Sequence, residues 1–465
     1  MVAIKNIDNP ESALDLWLAE CSYGDEIHGS QMHSDRVMAV EYAYSQYYLP
    51  QAPVISLLVI YCQSADKVLF SVMAASVSAR DQLQNTADNL EGFSTFVQHN
   101  HLPVFELGQP LRLETVCIAK PWGQEIWYTG IEERGVSLVS DGVESVPLPW
   151  VLSVAPKRIA ANRERQINLL KILDPLPEEV YGDLYFELHE EKREVYVVTH
   201  IDKQAWPDGV GAIRYGFDSH VRNEYVSEQA FKSAYLDVVK HYQSIRRKID
   251  QQLDSYRQAE NIGQNEPVSA EVMKRWVAML PSILIEQEQE AREEMNRFTS
   301  LLPLQQGDVV KVPLLTPHSL QHGVRTVEFQ TPVYERMILS FAQKVLTQSH
   351  WDTEKAVDLM SVDCPQATDL VVLEESDGHR LEEVVQFDDF EVLRLRLGAK
   401  QNFFLEPTQG YGLLMVVEGE AVCQGRELVS EDALMLPAER NRMNLVNKSD
   451  QDVSLLLAYP IVVKK

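Results

Sequence analysis

Two stretches far apart in the chain carry carboxylates and imidazoles at spacings suited to gripping one cation. The first runs from Tyr181 to His200 and contains Glu187, His189 and Glu194. The second runs from Asp308 to Gln330 and contains His318 and Glu328. In an extended strand starting at Asp183, successive side chains alternate between faces. Leu184, Phe186 and Leu188 then share one face, and Tyr185, Glu187 and His189 share the other. A carboxylate and an imidazole two residues apart on one strand face can reach a common ion. Four mostly polar residues follow, and Glu194 opens a second apolar run, Val195 to Val198. That pattern predicts a hairpin that returns Glu194 to the side of His189. The second stretch supplies a late histidine, in Gly307-Asp-Val-Val-Lys-Val-Pro-Leu-Leu-Thr-Pro-His318. Mixed imidazole and carboxylate donors suit zinc, iron or manganese better than calcium or magnesium.

Several elements must hold these residues in place. Gln166 to Leu173 reads as a buried strand ending at Asp174-Pro-Leu-Pro177. In Val324-Arg-Thr-Val-Glu-Phe-Gln330, alternation puts Thr326, Glu328 and Gln330 on one face. A polar inner face suits a solvent-filled pocket, and the same pattern would suit an outer face. Residues 223–300 change character. Phe231, Tyr235, Val238, Tyr242, Ile245, Ile249 and Leu253 recur at helical spacing and predict a long amphipathic helix. Gly263 to Pro267 breaks it. Ser269 then caps a second helix, which meets Pro281 and continues, highly charged, to Phe298. This region reads either as a helical insertion packed beside a barrel or as a partner-binding coiled coil, the first being preferred. Phe341 to Met360 reads as helix and linker.

A family resemblance enters on these residues. The run Gln166-Ile-Asn-Leu-Leu-Lys-Ile-Leu-Asp174, then Glu187-x-His189, then Glu194, resembles the metal-binding half of the type I mannose-6-phosphate isomerases, which are cupins. Ile213-Arg-Tyr-Gly-Phe217, the Gly307 to His318 block, and Val327-Glu-Phe-Gln330 followed by Tyr334-Glu-Arg336 are similar to later segments of that family. Pro121-Trp-Gly123 sits where the family has a Trp-Gly motif. The resemblance spans roughly residues 110–465 and lies in motif order, not in a long identical string.

The resemblance implies two cupin-type β-barrels and a helical insertion; with the α+β pattern of the N-terminal residues, the fold expected is mixed and mainly β, with an N-terminal α+β domain. The resemblance also implies a metal-binding cupin over 109–222 and 301–362, the insertion over 223–300, and a second cupin-like domain over 363–465. Residues 1–108 lie outside it, with no role assigned. It further implies one Zn2+ per chain, held by His189, Glu194 and His318 with Glu187 as the fourth ligand. Arg336 is the matching arginine, suited to an enediolate or phosphate because its planar fork binds oxygens in pairs. Its other reading is a surface arginine paired with Glu335. Glu328 is a candidate for proton transfer on position alone. The implied reaction is aldose–ketose isomerisation of a hexose phosphate, mannose 6-phosphate to fructose 6-phosphate through an enediol. The sequence departs from the family in three places, one being the short loop between His189 and Glu194. Glu187 stands where a neutral or basic residue is usual, and Glu190 stands where proline usually follows the histidine. An added carboxylate holds a divalent ion more firmly, weakens its Lewis acidity and repels a phosphate. Two further readings therefore stand beside the isomerase: a non-catalytic or regulatory sugar-binding cupin, and another cupin metalloenzyme such as an iron-dependent oxygenase.

Composition bounds these readings. At 465 residues the chain holds about three domains of ~100–200 residues each. Its hydrophobic content of 45% and charged content of 24% are those of a soluble globular protein. A net charge of −27 argues against nucleic acid or an anionic membrane as the main partner. A locally basic pocket would still take a small sugar phosphate. The five cysteines are scattered, odd in number and without a CxxC pair, as expected in a reducing cytoplasm. The N-terminus lacks a signal-peptide layout, and the apolar run Val54 to Cys62 is too short to span a bilayer. Oligomeric state is left open.

At the N-terminus, Asn9-Pro10 predicts a helix start, with Leu14, Trp17, Leu18 and Cys21 at helical spacing. A second helix is predicted from Ser34 to Tyr47, then strands at Val54–Cys62 and Lys67–Val72. His28, His33, His99 and His101 read as surface residues. Lys120-Pro-Trp-Gly-Gln-Glu-Ile-Trp-Tyr128 reads as an aromatic turn and strand; Lys120 is a phosphate contact or, by preference, a solvated lysine. In the C-terminal part, Val392–Leu397 and Gly412–Cys423 have the layout of a small barrel. No histidine follows His379, so this barrel reads as structural.

Overall fold

The computed structural model of the chain describes residues 2–28, 35–365 and 369–461, with 21–28 described by backbone alone. Ser34, His33 and the side chains of Cys21 and His28 lie outside the described residues. The fold is mixed and mainly β. It divides into two compact units, one of Met1–Val116, Trp127–Leu170 and Leu370–Lys465, the other of Cys117–Ile126 and Lys171–Asp369.

The second unit is built on two sheets. A six-stranded sheet runs in the order Val309–Val312, Glu194–Ile201, Val324–Gln330, Leu169–Pro175, Gly123–Trp127, Val116–Lys120. A five-stranded sheet runs Thr299–Leu304, Gly211–Phe217, His318–Leu320, Phe186–Leu188, Met337–Ser340. Leu173, Tyr196 and Val198 of the first pack against Ile213, Leu320 and Ile338 of the second in one apolar cluster. The sheets thus face one another as the walls of a barrel.

The predicted hairpin is not formed. Phe186–Leu188 pairs with His318–Leu320 and Met337–Ser340, whereas Glu194–Ile201 pairs with Val309–Val312 and Val324–Gln330 in the opposite sheet. The short loop carries the chain across the barrel, from one wall to the other. Glu194 does end beside His189, but by facing it and not by pairing alongside it.

The other face of the five-stranded sheet is apolar and takes the helices. The helix Glu228–Ala259 begins at Ser227, whose side chain accepts from the Ala230 N–H. It lays Phe231, Tyr235, Val239 and Tyr242 on Phe186, Leu188, Phe217, Met337 and Leu339. The helical insertion packed beside a barrel is therefore the arrangement observed. Where one further helix was predicted there are two, Ala270–Val277 and Ser282–Asn296, because proline at 281 has no N–H with which to continue the first. The segment predicted as helix and linker holds a short helix, Thr353–Leu359.

The first unit contains a five-stranded sheet, Ile4–Asn6, Arg36–Ser45, Val54–Ser64, Lys67–Ala74 and Phe105–Glu106, covered on one face by helices Val77–Gln84 and Leu90–His99. The helix Pro10–His28 starts as predicted, with Asn9 Oδ1 accepting from the Ser12 N–H at 3.0 Å. The helix predicted up to Tyr47 is instead the strand Arg36–Ser45, the second of that sheet. Its Val, Tyr and Ala residues alternate well enough for a strand, and pairing along Val54–Ser64 over its full length decides the matter. His99 and His101 are exposed, as expected.

The same unit holds the C-terminal barrel. Leu395, Leu414, Leu434 and Leu455 from a nine-stranded sheet pack on Leu405, Cys423, Leu428 and Leu445 from a four-stranded one. Leu111–Glu114, Leu138–Ser140 and Ser145–Pro147 join that nine-stranded sheet, Leu111–Glu114 pairing with Ala433–Leu436. Residues 111–114 and 138–147, grouped with the metal-binding barrel in the sequence reading, thus form strands of the C-terminal one. Its interior is apolar, which fits a structural role.

Candidate metal centre

Strand pairing brings the first residues together. Glu187 and His318 are direct cross-strand partners, so their side chains share the barrel-facing side. His189 lies one residue past the strand end, where its carbonyl accepts from the Leu315 N–H at 2.8 Å. Leu315 has a φ of 62°, a left-handed conformation that costs a leucine energy. It is held there from both sides, since its own carbonyl accepts from Ser361 N–H at 2.9 Å. The motif ending in Gly216-Phe217 supports the same loop. Gly216 has φ 63°, and a Cβ there would lie 2.4 Å from the Asp363 carbonyl oxygen. Its N–H donates to the Pro317 carbonyl at 2.8 Å, next to His318. This glycine is needed to set the histidine.

Ligand-capable atoms of Glu187, His189 and His318 lie within 4.8 Å of one another. Glu194 enters from the opposite sheet. Its Oε2 is 3.3 Å from His189 Nε2 and 3.1 Å from His318 Nε2. His189 Nε2 is 3.7 Å from Glu187 Oε1. Two ligands about 2.1 Å from one ion sit roughly 3.0–3.4 Å apart at octahedral or tetrahedral angles. The two shorter separations match.

Unsatisfied polar atoms point the same way. Neither ring nitrogen of buried His189 has a hydrogen-bond partner, nor does Glu187 Oε2. His318 Nδ1 is 3.0 Å from the Thr316 carbonyl, which can only accept, so Nδ1 carries the proton. A neutral His318 then turns its Nε2 lone pair toward the Glu194 carboxylate. That contact is repulsive unless a proton or a cation lies between them. The donor set therefore fits a divalent metal, with Thr316 holding His318 as outer partners commonly hold metal-bound imidazoles.

Electrostatics keep the donors in ligand form. Burial, then the Lys192 ammonium, hold the His189 imidazole below its ordinary range and hence neutral. Burial opposes ionisation of Glu194, but the Lys192 ammonium, first among the opposing causes, holds the carboxyl well below the usual range. Lys192 Nζ makes a short ion pair with Glu194 Oε1, and the Tyr196 hydroxyl donates to Oε2 at 2.9 Å.

Around this cluster the six-stranded sheet carries inward titratable side chains on neighbouring strands. Glu328, Lys171, Glu125 and Lys120 come from four successive strands. Lys171 Nζ is 3.2 Å from Glu328 Oε2 and 3.9 Å from Glu125 Oε1, and Lys120 Nζ is 3.2 Å from Glu125 Oε2. Burial and the nearby Glu194 push the Glu328 carboxyl well above its usual range, against the pull of Lys171. Glu328 Oε1 has no hydrogen-bond partner. Thr326, Glu328 and Gln330 are all buried, which makes theirs the inner face. Lys120 is buried and ion-paired, not solvated.

Arg336 is not paired with Glu335. Glu335 instead accepts from the backbone N–H groups of Glu190, Glu191 and Lys192, at 2.6, 2.9 and 3.3 Å. Arg336 lies 4.6 Å over the Tyr185 ring and makes a short hydrogen bond to Thr347 Oγ1. Sequence reasoning missed Lys171 and Lys192. Lys171 had a signal, a lone cation in the apolar strand Leu-Leu-Lys-Ile-Leu; Lys192 had none.

The barrels and their helices define a cupin-like fold. Solved structures of mannose 6-phosphate isomerases share it. The chain superimposes on the enzyme from Bacillus subtilis with a TM-score of 0.52 at 14% identity, covering 75% of this chain and 99% of that one. It matches a point mutant of phosphomannose isomerase from Salmonella typhimurium at 0.53 and 13%, and a zinc-bound mannose 6-phosphate isomerase at 0.52 and 12%, each over 76% of this chain and 100% of the other. No family model matches the chain, and no curated protein matches it by sequence. At these identities the likeness establishes a shared fold. Among the described residues no helix is long and apolar enough to cross a membrane.

Proposed function

We propose that the chain is a metal-dependent aldose–ketose isomerase acting on a hexose phosphate. Its metal, zinc by preference, would be held by Glu187, His189, Glu194 and His318. The observation that carries this reading is the convergence of Glu194, His189 and His318 from two sheets, with donor atoms 3.1 and 3.3 Å apart and no hydrogen bond to satisfy His189. When bound, such an ion supplies Lewis acidity toward carbonyl and hydroxyl oxygens.

The protein's own residues supply the rest. Lys192 offsets one of the two carboxylate charges among the ligands, which lessens the repulsion that an anionic substrate meets. Glu328, whose carboxyl burial raises well above its usual range and whose Oε1 has no hydrogen-bond partner, would hold or hand over a proton at a substrate oxygen or carbon. Lys171 orients Glu328 from behind. Arg336, stacked on Tyr185, presents a guanidinium to an enediolate or phosphate oxygen. A cytoplasmic setting suits the free thiols of Cys62, Cys117 and Cys423. Residues 1–108 would then be an appended domain outside the chemistry.

The half-buried Glu187, an acid where the resembling family has a neutral or basic residue, favours one alternative. The barrel would then bind a sugar without turning it over. His189→Ala and His318→Ala separate the cases. In a coupled assay over several hexose and pentose phosphates, the isomerase reading predicts that each variant loses metal and turnover together. Full activity in either variant would falsify the ligand assignment. Sugar-dependent thermal stabilisation without turnover in the unmodified chain would favour the binding protein.

A further inference from the structure

A second cavity lies outside the barrel. It is a cleft of about 480 Å³ between the helix Glu228–Ala259 and the segment Lys344–Trp351, and none of the candidate metal residues lines it. That volume is within the range of small-molecule sites. The chemistry of its walls narrows the ligand. Arg246 is buried and bonds Asp250 Oδ1 through Nε and Nη2, at 2.9 and 2.7 Å. Lys344 Nζ bonds Asp254 Oδ1 at 2.5 Å. These two pairs neutralise themselves and stiffen the cleft. Arg247 lines the same space, is exposed, and forms no ion pair with any described residue. Amides and hydroxyls such as Gln251 and Ser349 stand around it, and Trp351, stacked 6.0 Å from Tyr242, gives a flat apolar wall. One uncommitted guanidinium suits one anionic group. Neutral polar groups with an indole face suit a ring bearing several hydroxyls.

We infer that this cleft binds a phosphorylated monosaccharide as an effector, separately from the barrel. It is wired to the barrel through one residue. Thr347 lines the cleft, and its Oγ1 receives the hydrogen bond from Arg336. Arg336 in turn stacks on Tyr185, two residues before Glu187 on the same strand face. A ligand that takes the Thr347 hydroxyl releases Arg336. The coupling rests on the role proposed for Arg336 above; the binding does not.

The test titrates mannose 6-phosphate into the full-length chain carrying His318→Ala, which disables the barrel site, and follows tryptophan fluorescence. A saturable change is expected, and Trp351→Phe removes it. Arg247→Ala, at an exposed residue with no structural bond, is expected to weaken binding at least tenfold, and mannose or inorganic phosphate alone to bind far more weakly. No saturable change at millimolar sugar phosphate overturns the inference. So does a response lost with His318→Ala in an otherwise intact chain yet unaffected by Arg247→Ala, because the ligand then sits only in the barrel. For the coupling, Thr347→Val is expected to raise KM with metal content unchanged. Unaltered kinetics in that variant overturn the link to Arg336 and leave the binding result standing.

Discussion

Glu328 shows how surroundings set the state of a single group. Burial raises its carboxyl well above the usual range in the folded chain, while the unfolded chain releases the proton above about pH 4.3. A raised folded pKa therefore makes stability fall as pH rises from that value toward the folded one. Glu328→Gln removes this term. In the metal-free chain the substitution is predicted to raise the melting temperature at about pH 8 and to do much less at about pH 5. An equal effect at both would mean that Glu328 is ionised in the fold. Lys192 makes a second residue-scale prediction. Its ion pair orients Glu194 and favours its charged form. Lys192→Met is expected to weaken metal binding roughly 10–100-fold, measured by competition with a chelator. Unchanged affinity would show that Lys192 acts elsewhere. That Glu187, His189, Glu194 and His318 would converge was legible because residue type and spacing single them out as a candidate ligand set. The lysines that tune them were not, because a buried lysine becomes interpretable only when its carboxylate partner is known.

The elements that could be read were those with a strong period. The long helix followed from a stripe of large apolar residues, and that stripe is what docks on Phe217 and Leu339. Phe231 packs edge-on to Phe217 with ring centroids 5.1 Å apart and is fully buried. Phe231→Ala should cost about 3–5 kcal/mol, seen as a lower midpoint in denaturant unfolding. A loss under about 1 kcal/mol would mean that the helix is not fixed to the sheet by this contact. What could not be read was pairing. A period of two identifies Phe186–Leu188 and Glu194–Ile201 as strands but not their partners, which lie more than a hundred residues away in sequence. Proximity along the chain suggested a hairpin; the apolar faces required two walls. Arg36–Ser45 failed differently. Four apolar residues in a row, Val37 to Val40, fit either period, and the neighbouring strand decides.

At the scale of the molecule, one of the two β-barrels carries the candidate chemistry and the other does not. The second unit encloses a polar interior built from Lys171, Lys192, Glu194, Glu328 and the histidines. The C-terminal barrel fills the same kind of space with leucine, valine and methionine. A protein with a net charge of −27 thus buries Lys120, Lys171 and Lys192 on the barrel where an anionic substrate is proposed to bind, besides Lys232 on the long helix. Metal content is where the whole proposal stands or falls. The chain should be produced without a metal-binding tag, dialysed extensively and analysed for transition metals by mass spectrometry, alongside His189→Ala and His318→Ala. The expected result is one zinc ion per chain in the unaltered protein and none in either variant. A folded, unaltered chain that takes up no divalent transition metal, even when zinc is supplied, would contradict the proposed centre.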